Sequence, residues 1–154
     1  DGVRFVNDSQ GTQPDAVAAA LRAFDPPIVL IAGGRDKGVD LSMLGPAVAE
    51  RAIAAVLLGE SGPDLEARVR AAGLERTERA ATLEDAVRAA DAIAREALEA
   101  GGPEPATVLL SPAAASFDMF VDYAARGRAF KQAVAGLALE RRGSGSAAST
   151  ERTE

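Results

Sequence analysis

Three short stretches hold the residues that could do chemistry. Asn7-Asp8-Ser9-Gln10-Gly11-Thr12 puts a carboxylate, two amides and two hydroxyls together where an apolar run gives out. Gly33-Gly34-Arg35-Asp36-Lys37-Gly38 follows a second apolar run and carries one of only two lysines among 17 basic residues. Ser111-Pro112-Ala113-Ala114-Ala115-Ser116 follows a third, with small residues between two serines. Asp8 at a strand end could accept hydrogen bonds from a sugar hydroxyl. Lys37 could neutralise a carboxylate or phosphate, and because this chain uses Arg for most positive charge, a retained lysine carries extra weight. The serine stretch could open a helix whose free amides and hydroxyls face an anion. Each stretch also has an ordinary use: Asp, Ser and Thr cap helices and make turns, paired glycines make tight turns, and a lysine is usually a solvated surface charge. They form a site only if the fold brings them together.

Composition limits what that site can be. The chain has 154 residues, no Cys and no His, which removes disulfides, thiolate nucleophiles, His bases and ordinary zinc sites. Carboxylates, hydroxyls, Lys, Arg and backbone amides remain. A net charge of -6 with no clustered Lys and Arg argues against a nucleic-acid surface. No apolar run is long enough to cross a bilayer, so a soluble single domain is expected. The chain opens on Asp1-Gly2-Val3 without a signal-peptide pattern, and reads as an excised or processed piece.

The elements that must position these stretches alternate between strand and helix. Val3 to Val6 alternates as a short strand, and Pro14 suits the first turn of a helix to about Phe24. Ile28 to Ala32 is continuously apolar, as a strand covered on both faces should be. A helix from about Met43 to Glu50, a strand from Ile53 to Leu58 and a helix from Ser61 to about Ala72 follow. Next come a weak strand near Glu75 to Arg79 and a long helix that enters at Thr82-Leu83-Glu84-Asp85, a capping-box-like start, and ends at Gly101-Gly102. Ala106 to Leu110 is the last strong strand, and helical pattern resumes through Phe120 and Tyr123 to about Leu139. Phe117, Phe120 and Tyr123 at this spacing are more often core than ligand contacts. Residues 141–154, RRGSGSAASTERTE, read as a disordered tail. The predicted fold is therefore α/β, a three-layer Rossmann-like domain with a mainly parallel sheet flanked by helices. Ligands in such sheets bind outside the carboxyl ends of the strands, so all three stretches are expected on one rim. Gly33 to Gly38 matches neither the dinucleotide fingerprint nor the phosphate loop, which disfavours a self-contained ATPase.

NDSQGTQPDA, LIAGGRDKGVDL and VLLSPAAASFDMFVDYAARGRAF, in this order and spacing, resemble the C-terminal domain of Mur ligases over residues 1–140. The resemblance is nearest to the branch that adds D-glutamate to UDP-N-acetylmuramoyl-L-alanine. It implies an ATP-dependent acid:amino-acid ligase of cytoplasmic bacterial peptidoglycan synthesis, working through an acyl phosphate. By matched position, Thr12, Lys37, Ser116, Phe117 and Tyr123 would bind D-glutamate, while Asp8, with Asn7 and Ser9, would face the nucleotide. No catalytic residue and no metal ligand is assigned to this domain. ATP and Mg2+ would be bound mainly by a central domain that, with the N-terminal domain, is absent from this chain. The implied partners are D-glutamate, ATP, UDP-N-acetylmuramoyl-L-alanine and the missing domains, with no nucleic acid and no membrane. The domain alone is expected to be inactive. The family usually has lysine and alanine where this chain has Gln10 and Gly11, and often Leu and Phe at the positions of Phe117 and Tyr123.

Two other readings stand beside this one. A sister Mur or folylpolyglutamate ligase would add a different amino acid, though a diamino-acid site wants a recognition motif that the matched positions lack. A non-catalytic Rossmann-like binding module draws its support from Gln10, and retention of Lys37 counts against it.

Overall fold

The computed structural model describes residues 2–8, 13–34, 41–113 and 123–153, with side chains in the last helix described over residues 124–140. The chain runs β1 (Val3–Asn7), α1 (Pro14–Arg22), β2 (Ile28–Gly33), α2 (Leu44–Arg51) and β3 (Ala54–Leu58). It continues through α3 (Gly62–Ala71), β4 (Thr77–Arg79), α4 (Leu83–Glu99), β5 (Ala106–Leu110) and α5 (Tyr123–Thr153). All four strand pairings are parallel, in the order β1-β5-β2-β3-β4. The expected α/β architecture is present.

The run that reads as continuously apolar, β2, is buried throughout, and so are β3 and β5, the other two strong strands: none of the three has an exposed position. Their side chains alternate between two faces, as a two-residue period requires. Ile28, Leu30, Ala32, Ala55, Leu57 and Leu109 pack with Val17 and Leu21 of α1, Val48 of α2 and Leu65 of α3. Val29, Ile31, Val56, Leu58, Val108 and Leu110 pack on the other face with Val87, Ala90 and Ile93 of α4 and Phe130 of α5. Helices α1 to α3 thus cover one face and α4 and α5 the other. This division follows from crossover handedness: the chain steps one way along the sheet from β1 to β4 and must return on the opposite face to reach β5.

Local chemistry explains several details. Pro14 stands in the first turn of α1, where its missing N–H costs nothing. Thr107, fully buried on β5, has its hydroxyl satisfied by Arg4 of β1, with Nη2 at 3.0 Å, and the same guanidinium lies 4.8 Å from the Phe24 ring centroid. Thr82 caps α4 by accepting a hydrogen bond from the Asp85 amide at 3.1 Å, as its sequence context predicts. Thr82→Ala is expected to cost about 1 kcal/mol and to lower the melting temperature by roughly 2–4 °C, read by circular dichroism, while Thr82→Ser keeps the cap.

The last helix departs from expectation. The residue pattern predicts an end near Leu139 and a disordered tail over residues 141–154, whereas α5 runs on to Thr153. An established helix adds residues at little cost, and no proline follows Glu140 to stop it, although Gly143 and Gly145 are poor helix formers. Glu140 is still tied to the body of the domain: Arg88 on α4 donates to its Oε2 at 2.7 Å and holds its carboxyl below the usual carboxylate range. The side chains beyond it lie outside the described residues.

Candidate functional site

Four parallel strands end together, and their last residues set the geometry of one rim. Asn7 pairs with Leu110, and Gly33 pairs with Leu58, so the carboxyl ends of β1 and β5, and of β2 and β3, are level. β5 lies between β1 and β2, but its following helix covers the opposite face from theirs. A crevice opens where neighbouring strands send their connections to opposite faces, and this is where open α/β sheets bind ligands. Here it lies on both sides of the end of β5.

The residues at this point are tied to one another. The Asp8 amide donates to the Leu110 carbonyl at 2.8 Å, and the Ser111 hydroxyl donates to Asp8 Oδ2 at 2.9 Å. Ser111 is fully buried, and its own amide donates to the Ile31 carbonyl at 3.1 Å. Pro112 accepts from the Gly33 amide at 2.8 Å, so the end of β5 joins the end of β1 to that of β2. Ala113 then adopts a positive φ of 57°, an uncommon conformation for a non-glycine residue, at the point where the chain leaves the sheet. Asp8 itself remains part-exposed.

The glycine stretch is anchored from β3. The Gly34 amide donates to Ser61 Oγ at 3.1 Å, and the Ser61 amide returns a bond to the Gly34 carbonyl at 2.8 Å. Gly33 has φ +123° and runs so close to β3 that a Cβ there would lie 1.9 Å from the Leu58 carbonyl oxygen. Glycine is thus required by close approach as well as by backbone conformation. Ser61 was not among the sequence candidates, which include it only as the start of a helix. The rule that parallel strands end on one rim, applied to β3 as well as to β1, β2 and β5, would have found it.

Of the sequence candidates, Asn7 and Asp8 stand on this rim, at the end of β1. Ser111, read as a group that could face an anion, instead turns to Asp8. Ser9, Gln10, Thr12, Lys37, Ser116 and Phe117 lie outside the described residues, as does the side chain of Tyr123, whose backbone begins α5. Gly34 is the last described residue before Lys37. Among the described residues no group of three or more acidic side chains could hold a metal ion, and no helix is long and apolar enough to cross a membrane. A shallow depression lined by Ile53, Arg76, Ile93, Glu96, Ala97 and Ala100 lies at the opposite, amino end of the strands.

Comparison with known proteins assigns the chain to a family. The family described as Mur ligase, glutamate ligase domain, matches residues 1–114. The chain belongs to the Mur ligase family. Among relatives of this Mur ligase domain, proteins named UDP-N-acetylmuramoylalanine--D-glutamate ligase are similar at high coverage of the chain. The one from Symbiobacterium thermophilum is 45% identical over 138 residues, 89% of this chain and 29% of the relative. The one from Ralstonia nicotianae is 47% identical over 141 residues, 92% of this chain and 26% of the relative. The domain therefore spans less than a third of the length of the curated relatives it matches. Among solved structures, Mycobacterium tuberculosis folylpolyglutamate synthase complexed with ADP superposes with a TM-score of 0.55 at 18% identity, covering 79% of this chain and 28% of that one. At that identity the likeness speaks for the fold alone.

Proposed function

We propose that this Mur ligase domain is the amino-acid-binding domain of a cytoplasmic bacterial ligase that adds D-glutamate to UDP-N-acetylmuramoyl-L-alanine in peptidoglycan synthesis. The observation that carries the reading is the family match over residues 1–114, joined to relatives of 45% and 47% identity that bear the D-glutamate ligase name. In the proposed reaction the γ-phosphoryl group of ATP passes to the substrate carboxylate and ADP leaves. The amine of D-glutamate then attacks the acyl carbon, inorganic phosphate departs, the amine loses a proton and the amide remains. The N-terminal and central domains of the intact enzyme would bind the muramoyl nucleotide, most of the ATP and Mg2+.

In this reading residues 1–140 contribute orientation. Asp8, with Asn7 and Ser9 beside it, faces the nucleotide ribose at the end of β1. Lys37, three residues beyond the anchored Gly34, supplies positive charge for a D-glutamate carboxylate, and Thr12 and Ser116 supply hydrogen bonds. Phe117 and Tyr123 wall the site. Holding the amine in line with the acyl phosphate is the contribution such a domain can make without a catalytic base of its own. Its site is completed when the other domains close on it, so the isolated domain turns nothing over.

The test is phosphate release by the intact enzyme with ATP and UDP-N-acetylmuramoyl-L-alanine, offered D-glutamate, L-glutamate or a diamino acid in parallel. Turnover with D-glutamate alone is expected. Turnover with a diamino acid instead would identify a sister ligase. No turnover with any of the three would favour the non-catalytic module, which Gln10 supports because a cation usual in the family is missing there.

A further inference from the structure

We infer that Ser111 is a positioning residue for Asp8, and that through it the end of β5 sets how strictly the enzyme reads the ribose of its nucleotide. The inference rests on the proposed nucleotide role of Asp8. Its physical basis is the asymmetry of the pair. Ser111 is fully buried, with its amide on the Ile31 carbonyl and its hydroxyl 2.9 Å from Asp8 Oδ2, so it has no surface to offer a ligand. Asp8 is part-exposed, its amide is fixed to the Leu110 carbonyl, and Oδ1 takes no hydrogen bond among the described residues.

A serine that can donate only toward the carboxylate holds it in one rotamer, with Oδ2 engaged and Oδ1 turned to accept. A hydroxyl-to-carboxylate bond is charge-assisted and stronger than a neutral one. The two residues are 103 positions apart and meet only because β5 inserts beside β1. Without the hydroxyl, the Asp8 side chain samples several rotamers in water, and a ribose diol must reorder it on binding. Nucleotide binding therefore weakens through loss of preorganisation, and the loss falls on the ribose contact.

The experiment uses the intact enzyme and compares ATP with 2′,3′-dideoxy-ATP, which lacks both ribose hydroxyls. In Ser111→Ala, the KM for ATP is expected to rise roughly fivefold to twentyfold, with the preference for ATP over the dideoxy analogue falling by a similar factor. The KM for D-glutamate stays within about twofold. In an Asp8→Ala background the serine substitution changes the preference no further, because the two residues act as one unit. Ser111→Cys, close to serine in size and a weak donor, keeps the fold and gives an intermediate preference. An unchanged nucleotide preference in Ser111→Ala, or an undiminished effect in the Asp8→Ala background, overturns the assignment, as does an equal rise in KM for ATP and D-glutamate. Calorimetric titration of the two nucleotides reads the same preference without turnover. An enzyme that fails to use D-glutamate would therefore overturn the proposed reaction, while the nucleotide preference still decides the role of Ser111.

Discussion

Gly33→Ala is expected to lower the melting temperature of this domain by more than about 10 °C. A methyl group there would sit 1.9 Å from the Leu58 carbonyl oxygen, and the partner is backbone in a paired, fully buried strand, so no side chain can swing aside. The φ of +123° adds strain for any residue with a Cβ. Separating β2 from β3 to make room would break ladder hydrogen bonds and expose the core between them. Together these should cost roughly 3–5 kcal/mol or more, a large share of the ~5–15 kcal/mol that holds a typical domain together. Gly73→Ala is the control: its φ of +110° is also strained, but nothing lies within 4 Å of the added methyl. Its cost should be near 1 kcal/mol. If the two variants melt together, close approach to Leu58 does not explain the glycine at position 33.

Lys37→Ala in the intact enzyme is expected to raise the KM for D-glutamate about a hundredfold, the scale of one lost charge-assisted hydrogen bond. The KM for ATP should stay within about twofold, because the nucleotide contacts proposed for this domain, Asn7 to Ser9, belong to the end of β1 and not to that of β2. Lys37→Arg should recover only part of the loss, since a planar fork does not reproduce a compact ammonium. Lys131→Ala, at an exposed position on α5, should leave both constants unchanged. Parallel losses for ATP and D-glutamate in Lys37→Ala would place the charge with the phosphates and remove it from the amino-acid site.

Much of the fold was legible because each element carried its own signal. The run Ile28 to Ala32 is apolar throughout and Ala106 to Leu110 at every position but Thr107, as strands covered on both faces are, and both are strands buried along their length. Pro14 and Thr82 announce helix starts, and both helices begin there. The C-terminal end of α5 was not legible, since weak helix formers such as those in residues 141–154 are also what a tail contains. Of the site, Asp8 could be found from its position at a strand end. The rim rule reaches Ser61 as well, but the partners of Ser61 and Ser111 were not legible, because hydrogen bonds between residues 27 and 103 positions apart leave no local pattern.

Residue types and their periodicity by themselves determined the alternation of strands and helices, the parallel sheet, and the absence of thiol and imidazole chemistry. They also pointed to the strand ends as the site, because hydrophobic period, proline and capping residues act within a few positions of the chain. Only the tertiary structure decided the strand order. Several orders satisfy the same pattern, and the difference lies in which buried faces fit when the chain returns through α4. Inserting β5 between β1 and β2 brings Ser111 against Asp8 and Pro112 against Gly33. Three strand ends far apart in sequence thereby become one rim, held by bonds that exist only once the sheet has closed.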